Sequence, residues 1–380
     1  MLNLRRVDGF LLFIFIFLMI LGNLTVYTSS YFVAKRLTGN PYYFFIRQLI
    51  WTVPSFLSLI FFANYDYNNL RKITKPMILL TFILLILVFI PGIGKESGGA
   101  RRWINLRLFD FNPSEFAKLS IIIYLSHILT KKKGKIEDFT FGLLPPLLLV
   151  SAIFFIILMQ SGFSTASILL VTAFLMFFIG GASLTHIFSI GLLSLPVLVF
   201  FIWKVSYRMA RIASFLNPWA DPFGKGYHLI QSIKAFANGG LFGVGFGNGV
   251  QKISALPAPH TDFIFSVIIE EFGLIGGLTV TVIYLAIFIR GMLIAKNTQD
   301  NFGALLAFGI VTLFSLHAFL NIAITTGTIP PTGVSLPFLS YGGSSSLVLS
   351  ISCGILLNIS KNTPIKANKK EIEKIIHEGF

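Results

Sequence analysis

The run FIFSVIIEEFGLIGGLTVTVIYLAIFI, residues 263–289, holds 27 residues and only two charged side chains, Glu270 and Glu271. About 20 apolar residues rising roughly 1.5 Å each cross a hydrocarbon core of about 30 Å, so this run reads as a membrane-spanning helix. Outward from it the same pattern repeats. Hydropathy marks ten spans: 8–30, 42–63, 74–92, 113–131, 141–159, 165–182, 185–205, 263–289, 302–325 and 339–359. The chain of 380 residues is 55% hydrophobic and 12% charged, against roughly 25% charged in soluble domains, which excludes a soluble enzyme. The expectation is an all-α polytopic membrane protein of about ten helices, with one large extracytoplasmic loop, 206–262, between spans 7 and 8. Residues 1–360 form one transmembrane domain and 361–380 a basic cytoplasmic tail. The first span exceeds a signal-peptide core and no small-residue cleavage site follows, so it reads as a retained helix.

Charge orients the bundle. Lys and Arg number 30 against 15 Asp and Glu, a net +15. With both termini inside, sixteen of these cations face the cytoplasm and twelve the outside, so the positive-inside bias gives N-in and C-in. The outer cations gather in two loops, 93–112 and 206–262. Either an anionic ligand binds there, or long loops simply translocate whatever their charge. The basic tail is attracted to anionic membrane lipids, and no nucleic-acid partner is implied. Cys353 is the single cysteine, so no disulfide forms within the chain. The six histidines lack ligand spacing, and no zinc site is expected.

The loop glycines Gly243, Gly245 and Gly247 loosely suggest a phosphate-binding turn. No strand precedes them and no acidic ribose partner follows, so tight turns and short helices lying on the bilayer are expected instead. Asp262 closes the loop. It reads either as an N-cap of the eighth span or as a general base at the membrane surface. Glu270 and Glu271 lie about 12 Å deeper along the helix, too far to pair with Asp262, and reading them as members of an interior ion-pair network makes Arg47 and Lys118 the available cations. The fourth span opens Asn112-Pro113-Ser114-Glu115, a helix start in which Glu115 and Lys118 meet at i, i+3. The stretch TIPPTGVSLPFLSYGGSSS, 328–346, carries three prolines at membrane depth and reads as broken backbone lining a cavity, or as small-residue helix packing at Gly342 and Gly343.

PSEFAK at 113–118, GYHLIQSIKAFANGGLFGVGFGNGVQK in the loop, LPAPHTDFIFSVIIEEFGLIGG at 256–277 and PPTGVSLPFLSYGGSSS at 330–346 together resemble the signatures of the SEDS proteins, the bacterial family of shape, elongation, division and sporulation. The likeness covers nearly the whole chain. The PPTG run is more similar to the division member or its sporulation relative than to the elongation member. One departure stands out: where the family carries a QPDLGT-like run, this chain reads Gln160-Ser161-Gly162-Phe163-Ser164-Thr165, so the acidic position falls on Gly162 and no role is carried to it.

The resemblance implies a peptidoglycan glycosyltransferase that polymerises lipid II, with septal cell-wall synthesis as the expected setting. It implies Asp262 as the catalytic base. Arg101, Arg102, Lys252, Arg208 and Arg211 would hold the lipid diphosphate, with a divalent cation, Mg or Mn, as an optional assistant. Glu115 and Lys118 would shape the cavity, and His260, Thr261, Ser340 and Tyr341 would contact substrate. The implied partners are the nascent glycan strand, a class B penicillin-binding protein (an FtsI-like transpeptidase) and other divisome proteins. An elongation polymerase, a lipid II flippase and a recruiting scaffold are the alternatives.

Overall fold

The computed structural model describes residues 7–97, 100–106, 109–204, 206–224, 226–251 and 259–362. Lys252 and the tail beyond Asn362 lie outside the described residues. Ten helices fall on the ten expected spans: α1 (Gly9–Thr38), α2 (Tyr43–Asn64), α3 (Leu70–Leu87), α4 (Pro113–Lys131), α5 (Leu144–Met159, entered through a π turn at Phe139–Leu143), α6 (Phe163–Ile179) and α7 (Leu184–Trp203), then, after two short loop helices α8 (Ser206–Leu216) and α9 (Tyr227–Gly239), α10 (Ile264–Asn297), α11 (Asn301–Thr325) and α12 (Gly343–Ser360). Seven of the described helices are long and apolar enough to cross a membrane by length and composition alone. Of the other three spans, α6 is apolar but short, whereas α3 and α4 carry Arg71, Lys72, Lys75, Glu115 and Lys118. Between α3 and α4 a small antiparallel sheet runs β1 (Gly94–Ser97), β2 (Ala100–Asn105), β3 (Asp110–Phe111).

Local sequence starts the helices where the polar signals stand. Asp8 accepts from Leu11 N at 3.1 Å to cap α1, and Asp300 accepts from Gly303 N at 3.0 Å to cap α11. Asn112 accepts from Ser114 N at 3.1 Å with Pro113 in the first turn of α4, as the sequence suggested. α11 is buried over most of its length and packs against α4, α6 and α10, while α12 lies along α2. Glycine lets that last pair close: a Cβ on Gly343 would meet the Trp51 ring at 2.3 Å and one on Gly354 the Leu59 carbonyl oxygen at 2.6 Å. Small-residue packing is thus the role of Gly343.

α10 is not a continuous helix. Gly273 has φ 69° and ψ −172°, and the break leaves backbone groups that a membrane helix cannot leave unpaired. The glycine-rich loop fills it. Val244 N donates to Glu270 O and Gly245 N to Glu271 O, both at 3.0 Å, while Leu274 N donates to Gly240 O at 2.9 Å and Ile275 N to Leu241 O at 3.3 Å. A Cβ on Gly243 would stand 2.2 Å from Glu271 O, so only glycine allows this approach. The glycines serve backbone docking.

The same docking revises the expected ion-pair network. Glu270 is fully buried, and its carboxylate accepts from Val250 N and Gln251 N, each at 3.0 Å, and from Asn238 Nδ2 at 3.3 Å. Among the described residues its partners are therefore amides of the neighbouring loop, which lie closer than Arg47 or Lys118. Arg47 instead sits 4.6 Å over the Tyr43 ring, and Lys118 is used elsewhere.

Candidate active site

Three segments meet at the end of the bundle that carries the 206–262 loop: the turn 259–263 before α10, the irregular stretch 326–342 between α11 and α12, and the first turns of α4. The turn is held carbonyl by carbonyl. His260 O accepts from Tyr341 N at 2.7 Å, Thr261 O from Ser340 Oγ at 2.6 Å and Asp262 O from Asn321 Nδ2 at 2.8 Å. The irregular stretch has no helix or strand to satisfy its carbonyls, so side chains from other elements do. Pro331 O accepts from Arg211 Nη1 at 3.2 Å, Thr332 O from Ser164 Oγ, Val334 O from Asn321 Nδ2 at 2.6 Å and Pro337 O from the Tyr284 hydroxyl at 2.6 Å. Ser340 Oγ also accepts from Leu336 N at 2.8 Å. Of the residues expected to contact substrate, Thr261, Ser340 and Tyr341 are therefore tied into the backbone framework.

Asp262 is half-buried. Phe263 stands at the N-cap of α10 and makes no side-chain capping bond, so the N-cap reading of Asp262 is set aside. Its carboxylate faces Gly333, whose φ is 72° and whose added Cβ would lie 3.2 Å from Asp262 Oδ2. The PPTG turn thus brings bare backbone against the acid. Burial pushes the Asp262 carboxyl above its ordinary range, and the charges of Arg211 and Arg102 oppose that rise. The result is a carboxylate more basic than one in water, acted on by two guanidinium charges.

The other cations divide. Arg101 pairs with Glu96 at 3.3 Å on the exposed face of the sheet. Arg208 is buried, donating to Phe201 O at 2.7 Å with its guanidinium 4.9 Å over the Phe163 ring, which fastens the start of the loop to α6 and α7. Among the described residues, Arg102 and Arg211 are the two whose charge acts on Asp262. A Cβ on Gly162 would lie 3.9 Å from Arg102 Cδ, so the position that lacks the family's acid lies beside a basic side chain.

At the start of α4, Lys118 Nζ lies 3.0 Å from Glu115 Oε2 and 2.8 Å from His317 Nε2. Facing an ammonium, Nε2 must accept, so the proton of the neutral ring sits on Nδ1, with the Ser335 backbone close to the ring. Nearby, His260 packs 4.5 Å from the Phe44 ring and 5.7 Å from Tyr341. Burial lowers its pKa to about 4, so it stands neutral at pH 7, a wall of the site. The Arg47 charge lies near Tyr341.

His317, Asn321, Ser164 and Gly333 escaped the reading of the sequence. A signal existed for the first two: they sit at i, i+4 in an otherwise apolar span, where polar side chains are costly unless they have work to do.

Among the described residues no group of three His, Cys, Asp or Glu side chains is arranged to hold a metal ion. The site is thus one carboxylate and two guanidinium groups at the mouth of a membrane bundle, with a buried Glu–Lys–His cluster alongside, a set suited to deprotonating a hydroxyl beside an anionic group.

This combination defines a polytopic membrane protein with an acid–base site at one end of its helices. The family model described as cell cycle protein, which groups FtsW, RodA and SpoVE, matches residues 9–365, and the chain belongs to that family. It is 41% identical to a probable peptidoglycan glycosyltransferase FtsW of Geobacter sulfurreducens over 94% of this chain and 96% of the relative. It is 38% identical to the stage V sporulation protein E of Bacillus subtilis over 93% of this chain and 97% of that one. Among solved structures, a chain of a peptidoglycan synthase complex that coordinates polymerization and crosslinking superposes with a TM-score of 0.76 at 26% identity, covering 93% of this chain and 98% of that one. The rod shape determining protein RodA of Thermus thermophilus shares the fold with a TM-score of 0.70 at 23% identity, covering 94% of this chain and 97% of that one.

Proposed function

We infer that this chain is a peptidoglycan glycosyltransferase that polymerises lipid II at the outer face of the cytoplasmic membrane, in septal synthesis during cell division. The observation that carries the reading is the Asp262 carboxylate, made more basic by burial, facing Gly333 and within the field of Arg102 and Arg211, in a chain 41% identical to an FtsW relative. Asp262 takes the proton from the acceptor sugar's hydroxyl. The oxygen attacks the anomeric carbon of the lipid-linked donor, a glycosidic bond forms, and the bond from that carbon to the lipid diphosphate breaks with inversion. The diphosphate leaves as an anion and needs cations rather than a proton donor; Arg211 and Arg102 supply them, together with Lys252. The proton on Asp262 passes to solvent. Glu115 and Lys118 hold the wall of the cavity on the α4 side. The described residues offer no group of three donors for a divalent cation.

The orientation is N-in and C-in, which puts the 206–262 loop outside. The partner is a class B penicillin-binding protein that crosslinks the strands; the structural likeness to one chain of a polymerizing and crosslinking complex supports it.

The test is lipid II polymerisation by purified protein, with and without the transpeptidase. Glycan strands from the wild type and none from Asp262→Asn support the reading. A folded, partner-bound Asp262→Asn that polymerises at the wild-type rate overturns it, and leaflet exchange of lipid II in vesicles without strands assigns transport instead.

A further inference from the structure

We propose that Asn321 is a positioning residue for the transfer reaction: from inside α11 its single amide fixes the Asp262 backbone and the PPTG loop relative to each other. The proposal rests on the reading of Asp262 as the base.

Asn321 is fully buried, and its Nδ2 donates one hydrogen to Asp262 O at 2.8 Å and the other to Val334 O at 2.6 Å. Two carbonyl oxygens facing one end of the side chain fix that end as the NH2, and both of its hydrogens are used. Of the three carbonyls that anchor the turn, those of His260 and Thr261 are held by Tyr341 and Ser340, which belong to an irregular segment. Only the Asp262 carbonyl is held from within a membrane helix. Val334 follows Gly333, whose Cα faces the Asp262 carboxylate, so the same amide sets the height of the acid and the approach of the backbone beside it. His317, one turn earlier on α11, binds Lys118 and so carries the register of α11 to the second cluster. A displacement of about 1 Å at a reacting group costs on the order of 10²-fold in rate.

The experiment is Asn321→Leu, measured beside Asp262→Asn, in lipid II polymerisation with kcat and KM resolved. Asn321→Leu keeps the shape and removes both donors. The expected result is a kcat lower by about 10- to 100-fold with KM within about twofold. A wild-type kcat, or a raised KM with unchanged kcat, overturns the proposal. If Asn321→Leu does not fold, Asn321→Gln decides: it keeps the amide but displaces it by one methylene, and a wild-type kcat refutes the positioning role. An inactive Asp262→Asn beside a fully active Asn321→Leu leaves the base reading standing while this proposal falls. An active Asp262→Asn removes both.

Discussion

Glu115→Gln tests whether the buried cluster on α4 is a charge pair in physical fact. Lys118 is 3% exposed and Glu115 13%, with 3.0 Å between Nζ and Oε2. Replacing one partner of a buried pair strands the other charge and costs about 3–5 kcal/mol, whereas replacing both with apolar groups of similar volume is neutral or stabilising. The His317 ring, 2.8 Å away, accepts a hydrogen bond but brings no negative charge, so it does not stand in for the glutamate. Thermal unfolding in detergent should therefore show Glu115→Gln melting lower by roughly 5–10 °C, and Glu115→Leu combined with Lys118→Met returning to near the wild-type temperature. Polymerisation should separate stability from function: the double variant, though stable, should turn over lipid II at least about tenfold more slowly, because it no longer offers a cation at the cavity wall. A Glu115→Gln protein that melts with the wild type refutes the burial argument. A double variant that polymerises normally reduces the cluster to packing.

Two further outcomes follow from the acid and the histidine. Since burial raises the Asp262 carboxyl and Arg211 opposes the rise, the acid limb of the pH–rate profile should lie above the ordinary carboxylate range, and Arg211→Gln should move it to still higher pH; Arg101→Gln, which breaks only the exposed pair with Glu96, should leave it in place, and a matching shift from both would show the effect to be non-specific. His260, lowered to about 4 by burial, binds protons more readily unfolded than folded, so stability should be lost as pH falls from about 6.5 toward 4, by up to about 3 kcal/mol. His260→Phe, which preserves the contacts with Phe44 and Tyr341, should flatten that dependence in acid unfolding measured at fixed detergent; an unchanged curve would assign the loss to other groups.

The site was legible in part. Asp262, Glu115 and Lys118 could be singled out because charged side chains at or near membrane depth are costly and need a reason. Arg102 and Arg211 could not be separated from Arg101 and Arg208, since all four are basic residues in the same two loops. Only the fold tells them apart: Arg101 meets Glu96, Arg208 meets Phe201 and Phe163, and the charges of the other two act on Asp262. Ser340 and Tyr341 stood in a recognisable motif, and the structure adds that the Ser340 hydroxyl and the Tyr341 backbone N–H hold the carbonyls of Thr261 and His260.

By itself the sequence determined a polytopic helical membrane fold, because the length of an apolar run against the thickness of a bilayer is a one-dimensional quantity. It also determined the starts of α1, α4 and α11, where Asp8, Asn112 and Asp300 cap the first turn. Only the tertiary structure decided that α10 breaks at Gly273, that the glycine-rich loop fills the break, and that Glu270 accepts from that loop. It alone decided that one asparagine joins Asp262 to Val334. Those outcomes depend on backbone carbonyls and amides from segments far apart in the chain finding each other where water is scarce, and no local pattern of side chains records which of them will meet.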